Sequence, residues 1–199
     1  MTSNRRWWLP LLGVCLAVAS VTPVAVAQEP DAERFWPQWR GPQQNGVSRT
    51  ATPPLEWSET KNIKWKTEIP GLGAATPVVW GDRIYLLTAV PVGVTAGEQH
   101  QYRGALPERD VHQYVVLAID RRDGHVVWER VAGARRPHEA THASSGTYAS
   151  SSAITDGEHV IAYFESNGLY TYDTDGNLLW QTDLGDKRVL TEGGEGTTP

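Results

Sequence analysis

His138, Glu139, Ala140, Thr141 and His142 match the pattern H-E-x-x-H, in which two imidazoles one helical turn apart bind zinc and the glutamate activates water. That chemistry needs a helix that brings both rings to one face. Arg136 and Pro137 precede the run and Ala143, Ser144, Ser145 and Gly146 follow it, so no apolar stripe of helical period surrounds it. A surface loop joining two β units is the favoured reading, and a metal role for His138, Glu139 and His142 is disfavoured. A second candidate is the polar, glycine-containing segment from Pro91 to Asp110, with His100, Tyr102, Arg103 and Arg109. Long insertions on one face of a repeat architecture often build binding sites. Gly193, Gly194, Glu195 and Gly196 lack the Lys-Ser/Thr pair and the helix of a phosphate loop and read as a connection. One cysteine in 199 residues makes neither an internal disulfide nor a cysteine-rich metal site. With 18 basic against 23 acidic residues, a net charge of -5 and no Lys/Arg stretch longer than a pair, a nucleic-acid partner is disfavoured. No catalytic residue is assigned.

The elements that must position these groups are β-strands in a repeat. Residues 1–27 read as a secretory signal: Arg5 and Arg6, an apolar run from Trp7 to Ala19, then Ala25, Val26 and Ala27 as a small-x-small cleavage site. Pro10 and Pro23 bracket the run, which falls short of the ~20 residues a bilayer span needs, so no transmembrane span is expected after its removal. Residues 28–61 form an extension. From there three places align: Ala75-Thr76-Pro77, Ser151-Ser152-Ala153 and Thr197-Thr198-Pro199. The first two lead into β-rich runs broken by Gly81-Asp82 and Asp156-Gly157, and each is followed by a second hairpin. Asp120 aligns with Asp173, Gly124 with Gly176 after one residue of slippage, and Trp128 with Trp180, four residues beyond each glycine. Each unit is therefore four strands, over 75–131 (with 91–110 inserted between its second and third strands) and over 151–185. Asn62 to Glu68, with Trp65, matches only the last strand of a unit, and 196–199 only the opening of another.

Four short strands per ~40–50 residues, with a tryptophan near the end of each unit, is the pattern of a β-propeller blade. Trp65, Trp128 and Trp180 are expected to cover the gap between neighbouring sheets, Asp120 and Asp173 to accept backbone N–H bonds across tight turns, and Gly124 and Gly176 to supply positive φ. The stretches ending in Trp128 and Trp180 follow Ala-x-Asp-x-x-x-Gly-x-x-x-Trp, with Tyr172 where the first unit has Ile119. This resembles the PQQ-like (pyrroloquinoline quinone) β-propeller repeat shared by quinoprotein dehydrogenases and by non-enzymatic propellers such as the outer-membrane protein assembly component. The opening Phe35-Trp36-Pro37-Gln38-Trp39-Arg40-Gly41-Pro42 is similar to the start of secreted propellers of that superfamily. The resemblance implies an all-β fold of four-stranded antiparallel blades, about two of them complete, in the N-terminal part of a longer ring. It also implies an exported protein, periplasmic or extracellular, that engages protein partners on a propeller face as a non-catalytic scaffold. A quinoprotein dehydrogenase is the alternative. Such enzymes hold the quinone with calcium, many beside adjacent cysteines, and a chain whose one cysteine lies in the signal is a poor match.

Overall fold

The computed structural model describes residues 32–93, 111–139, 141, 146–187 and 198. All of these lie within one compact unit, Asp31–Pro199. The signal reading, residues 94–110 of the insertion, His142 and the glycine run at 193–196 lie outside the described residues.

Among the described residues, eight strands form two four-stranded antiparallel sheets, each in simple chain order. Sheet 1 contains β1 (Val78–Trp80), β2 (Arg83–Pro91), β3 (His112–Asp120) and β4 (Val126–Arg135). Sheet 2 contains β5 (Ile154–Thr155), β6 (His159–Tyr163), β7 (Leu169–Asp173) and β8 (Leu178–Thr182). Between β6 and β7, where sheet 1 has the long insertion, sheet 2 has only a short 3-10 turn, Glu165–Asn167. No α-helix occurs among the described residues, and no helix there is long and apolar enough to cross a membrane.

The two sheets share their register in detail. Asp120 pairs with Arg83 and Asp173 with His159, each at the end of its middle hairpin. A shift falls between Ala118 and Ile119 in one sheet and between Thr171 and Tyr172 in the other, leaving Trp128 opposite Ala118 and Trp180 opposite Thr171. A bulge one residue before each tryptophan re-aims the strand end. The slippage in the turns is absorbed locally: Gly124 N–H donates to the Asp120 carbonyl four residues back, whereas Gly176 N–H donates to Asp173 only three back.

The core lies between the sheets. From sheet 1, Tyr85, Leu87 and Ala89 and then Tyr114, Val116 and Ala118 alternate onto one face, and sheet 2 meets them with Val160, Ala162, Phe164 and Tyr172. Sheet 1 is covered on its other face as well, where Val115, Leu117 and Ile119 pack with Trp65 and Ile69. Burial on both faces explains why β3 reads as a nearly unbroken apolar run from Val115 to Ile119. The expected strand at 62–68 differs: Ile63 to Pro70 carry no strand ladder, although Trp65 packs on sheet 1. A strand exists only where another chain segment pairs its backbone groups, and no strand lies beside this one among the described residues.

The edge strands β1 and β5 are tied together at one end. Trp36 and Val79 exchange both backbone hydrogen bonds, at 3.0 and 2.7 Å, and Thr155 N–H donates to the Pro37 carbonyl at 2.9 Å. Val79 and Thr155 are equivalent positions of the two units, so the segment Trp36–Pro37 blunts both edges.

Candidate functional site

The residues that repeat are spent on holding one sheet against the next. The Trp128 ring lies between Tyr85 and Tyr172, with centroids 6.0 and 6.1 Å away, and its indole N–H donates to the Thr174 carbonyl at 2.9 Å. Trp65 does the same one sheet earlier, donating to the Arg121 carbonyl at 3.0 Å. Arg121 and Thr174 are each the residue after the aligned aspartate. Beneath each ring sits the turn glycine, at φ 81° in both Gly124 and Gly176. A Cβ on Gly124 would stand 2.5 Å from the Trp65 ring, and one on Gly176 would stand 2.8 Å from the Trp128 ring.

Two residues beyond each tryptophan, a different side chain makes the same bond. Thr67 Oγ1 donates to the Gly124 carbonyl at 2.5 Å, and Arg130 Nε donates to the Gly176 carbonyl at 2.6 Å. Trp180, last of the series, is 47% exposed, against 7% for Trp128. A second set joins the three aligned small-residue approaches. Thr76 N–H donates to Ser152 Oγ at 2.8 Å, and Ser152 N–H donates to Thr198 Oγ1 at 3.3 Å. One hydroxyl per unit thus accepts from the backbone of the unit before it. The hydroxyls at 76, 152 and 198 were visible in the alignment, whereas nothing in the sequence relates Thr67 to Arg130.

The aspartates are committed inside their own turns. Asp120 accepts from the Arg122 backbone N–H at 2.8 Å and from both arms of its guanidinium at 3.0 and 2.6 Å, with Arg83 3.5 Å away. The Arg122 side chain is the main reason its carboxyl is held far below the usual carboxylate range. Asp173 accepts from the side chain and backbone of Asn177, both at 2.8 Å, which lowers it in the same sense. Among the described residues, Asp120, Asp123 and His125 are the one group of three ionisable side chains close enough to share a metal ion. The first carboxylate is already neutralised by arginine and the other two bond each other at 2.6 Å, so the set is a closed turn network.

Of the H-E-x-x-H run, His138 and Glu139 are described, on the connection from β4 to β5. They occur in no helix, and His138 Nε2 is 2.9 Å from the Lys187 carbonyl, so the helical zinc geometry is not formed there. Both instead border a cavity of about 30 Å³ shared with Tyr114, Thr141, Glu165 and Asn167. Sequence reasoning missed Tyr114, Glu165 and Asn167, which carry no motif.

Neither this cavity nor the groove beside β4 and β8 fits a quinone with calcium. The cavity beside His138 is far smaller than a tricyclic quinone. A larger groove, about 310 Å³ along Gly133–Arg135 and Gln181–Asp183, has Asp183 as the sole carboxylate of its lining and lacks the grouped oxygens of a calcium site.

Comparison with known proteins agrees with the repeat. A family model described as outer membrane protein assembly factor BamB, of the PQQ-like repeat type, matches residues 31–197. No curated protein matches the chain.

Proposed function

The chain belongs to the PQQ-like repeat family of the outer membrane protein assembly factor BamB, and from that membership we propose that it is a non-catalytic propeller scaffold that engages protein partners. The observation that carries this reading is the commitment of the repeated Trp and Asp side chains, and of the glycine turns beneath the rings, to contacts between or within the sheets. In this reading each four-stranded sheet is a blade, 75–131 and 151–185, within a propeller region from residue 62 that follows the extension 28–61. Trp65, Trp128 and Trp180, with Asp120, Gly124, Asp173 and Gly176, are its structural motif. Residues 1–27 act as an export signal, which places the protein in the periplasm or outside the cell, where an assembly factor of the outer membrane works. The partner surface is the end carrying the 91–110 insertion and the 135–153 connection, because the opposite end is occupied by short turns and by the Trp36–Pro37 segment.

The test is direct. Purified protein supplied with pyrroloquinoline quinone and calcium should show an all-β circular dichroism spectrum and no dye-linked alcohol oxidation. Sustained turnover would overturn the reading in favour of a quinoprotein dehydrogenase.

A further inference from the structure

One seam between the two sheets is already filled by an extended segment. Trp36–Pro37 bridges the edge strands β1 and β5, exchanging two backbone hydrogen bonds with Val79 and accepting from Thr155 N–H at the Pro37 carbonyl. The opposite edges, β4 and β8, have no such segment among the described residues. Between them runs the groove of about 310 Å³ along Gly133–Arg135 and Gln181–Asp183. Tyr170 lines it, held by donation from its Oη to the Asn167 carbonyl at 2.8 Å. Gly133 leaves room beside that ring, since a Cβ there would stand 3.1 Å from the Tyr170 Oη.

The direction of the backbone groups on each wall follows from the alternation of an antiparallel ladder. Asp120 N–H donates toward β4, to the His125 carbonyl, and Arg121 N–H donates the other way, to Asp82. Even-numbered residues of β3 therefore bond β4, so Gly133 and Arg135, opposite Tyr114 and His112, are tied into the sheet. Ala134, opposite Gln113 and exposed, turns its N–H and C=O outward. In sheet 2, Asp173 N–H donates to the Asn177 carbonyl, so odd-numbered residues of β7 bond β8. Gln181, opposite Tyr170, then turns its own backbone groups outward. β4 has ten residues and neither lysine nor proline to blunt its edge. The register shift opposite Val131 confines regular pairing to the end from Gly133 onward.

Outward N–H and C=O groups on an edge strand are matched by another extended backbone. A groove walled on its far side by β8 admits one strand and not the sheet of a second copy. Arg135 is held by Asp186 and by the Ser166 carbonyl, so Asp183 is the charge the lining presents. We propose that this groove receives an extended segment of a protein partner, paired with Ala134 and Gln181 as Trp36–Pro37 is paired with β1 and β5, and carrying a basic side chain toward Asp183. This deepens the scaffold reading, and the source of the segment, a partner protein, rests on it.

The probes are the peptide acetyl-TVKVT-amide, its glutamine analogue acetyl-TVQVT-amide, and a TVKVT peptide N-methylated at every second residue, titrated to millimolar concentration into the full chain with amide NMR and hydrogen exchange. In the free chain the Ala134 and Gln181 amides should exchange faster than those of Gly133 and Arg135. The lysine peptide should bind saturably and slow exchange at Ala134, and the N-methylated peptide, whose ladder donors are blocked, should bind at least about tenfold more weakly. Ala134→Pro removes an N–H that the sheet does not use and should weaken binding about three- to tenfold. Asp183→Asn keeps the acceptor for the Gly185 N–H and should weaken the lysine peptide about two- to fivefold, to the level of the glutamine peptide. An Ala134 amide already protected in the free chain, no saturable binding, or equal binding of the N-methylated peptide would overturn the proposal, whether or not Ala134→Pro folds. Equal affinity of the lysine and glutamine peptides would overturn the basic side chain. Failure of the peptide titrations leaves the non-catalytic reading standing, since the oxidation assay tests that separately.

Discussion

Replacing Gly176 by alanine probes the joint between the two sheets more sharply than truncating Trp128 would. Two costs are separable. At φ 81° an L-residue meets the left-handed penalty of about 1–2 kcal/mol. In addition the new Cβ would stand 2.8, 3.0 and 3.1 Å from three atoms of the Trp128 ring, closer than carbon atoms pack. That ring cannot yield cheaply, because Tyr85 and Tyr172 flank it and its N–H is tied to the Thr174 carbonyl. Overpacking of this kind adds roughly 1–3 kcal/mol. Gly81→Ala is the internal control: its φ of 57° is also left-handed, but a Cβ there meets nothing within 4 Å. Urea unfolding followed by circular dichroism should give about 1–2 kcal/mol for Gly81→Ala from backbone strain alone, and a loss larger by about 1–3 kcal/mol for Gly176→Ala. Combining Gly176→Ala with Trp128→Leu should recover much of that excess as a coupling energy. Equal losses for the two glycines, or strict additivity in the double variant, would refute the claim that the tryptophan seals the next turn.

Three further outcomes follow from the same contacts. Trp128→Ala should destabilise by about 3–5 kcal/mol, whereas Trp180→Ala, at a ring 47% exposed, should cost well under half of that in the same urea series. Ser152→Ala removes the acceptor of the Thr76 N–H and should cost about 1 kcal/mol in the same urea series. The folded carboxyl of Asp120 lies below its unfolded value, so its contribution is present in full above the unfolded carboxylate pKa of about 4 and is lost as pH falls through the folded value. Unfolding midpoints of the parent chain should therefore drop in acid, and Asp120→Asn should be less stable at neutral pH with a shallower acid decline; an identical acid decline in the variant would rule out this source.

What could be read from the sequence was whatever recurs. The alignment of Asp120 with Asp173 and of Trp128 with Trp180 predicted two four-stranded units, and the sheets carry those residues at matching register, down to the bulge before each tryptophan. Recurrence was legible because each unit solves the same packing problem and solves it with the same side chains. Contacts that use different chemistry in the same place were not legible: Thr67 and Arg130 reach equivalent glycine carbonyls with a hydroxyl and a guanidinium. The lone segment around Trp65 shows the opposite limit, since its side chain behaves like the aligned tryptophans while its backbone has no partner strand among the described residues.

The same distinction locates the cavity. Counting back from the aligned aspartates, Tyr114 and Asn167 occupy equivalent positions six residues before Asp120 and Asp173. In sheet 1 the position belongs to a long strand that continues to His112, whereas in sheet 2 the chain has already left the sheet in the Glu165–Asn167 turn. The two units match where they must pack and diverge at the end where one bears an insertion and the other a tight turn. Packing geometry restrains the matched end, because any change there disturbs two sheets at once. The divergent end carries no such restraint, and it is there that Tyr114, Asn167 and the buried carboxylate of Glu165 come together around a small cavity. The side chains that repeat between the units and the side chains that line this cavity are therefore different sets.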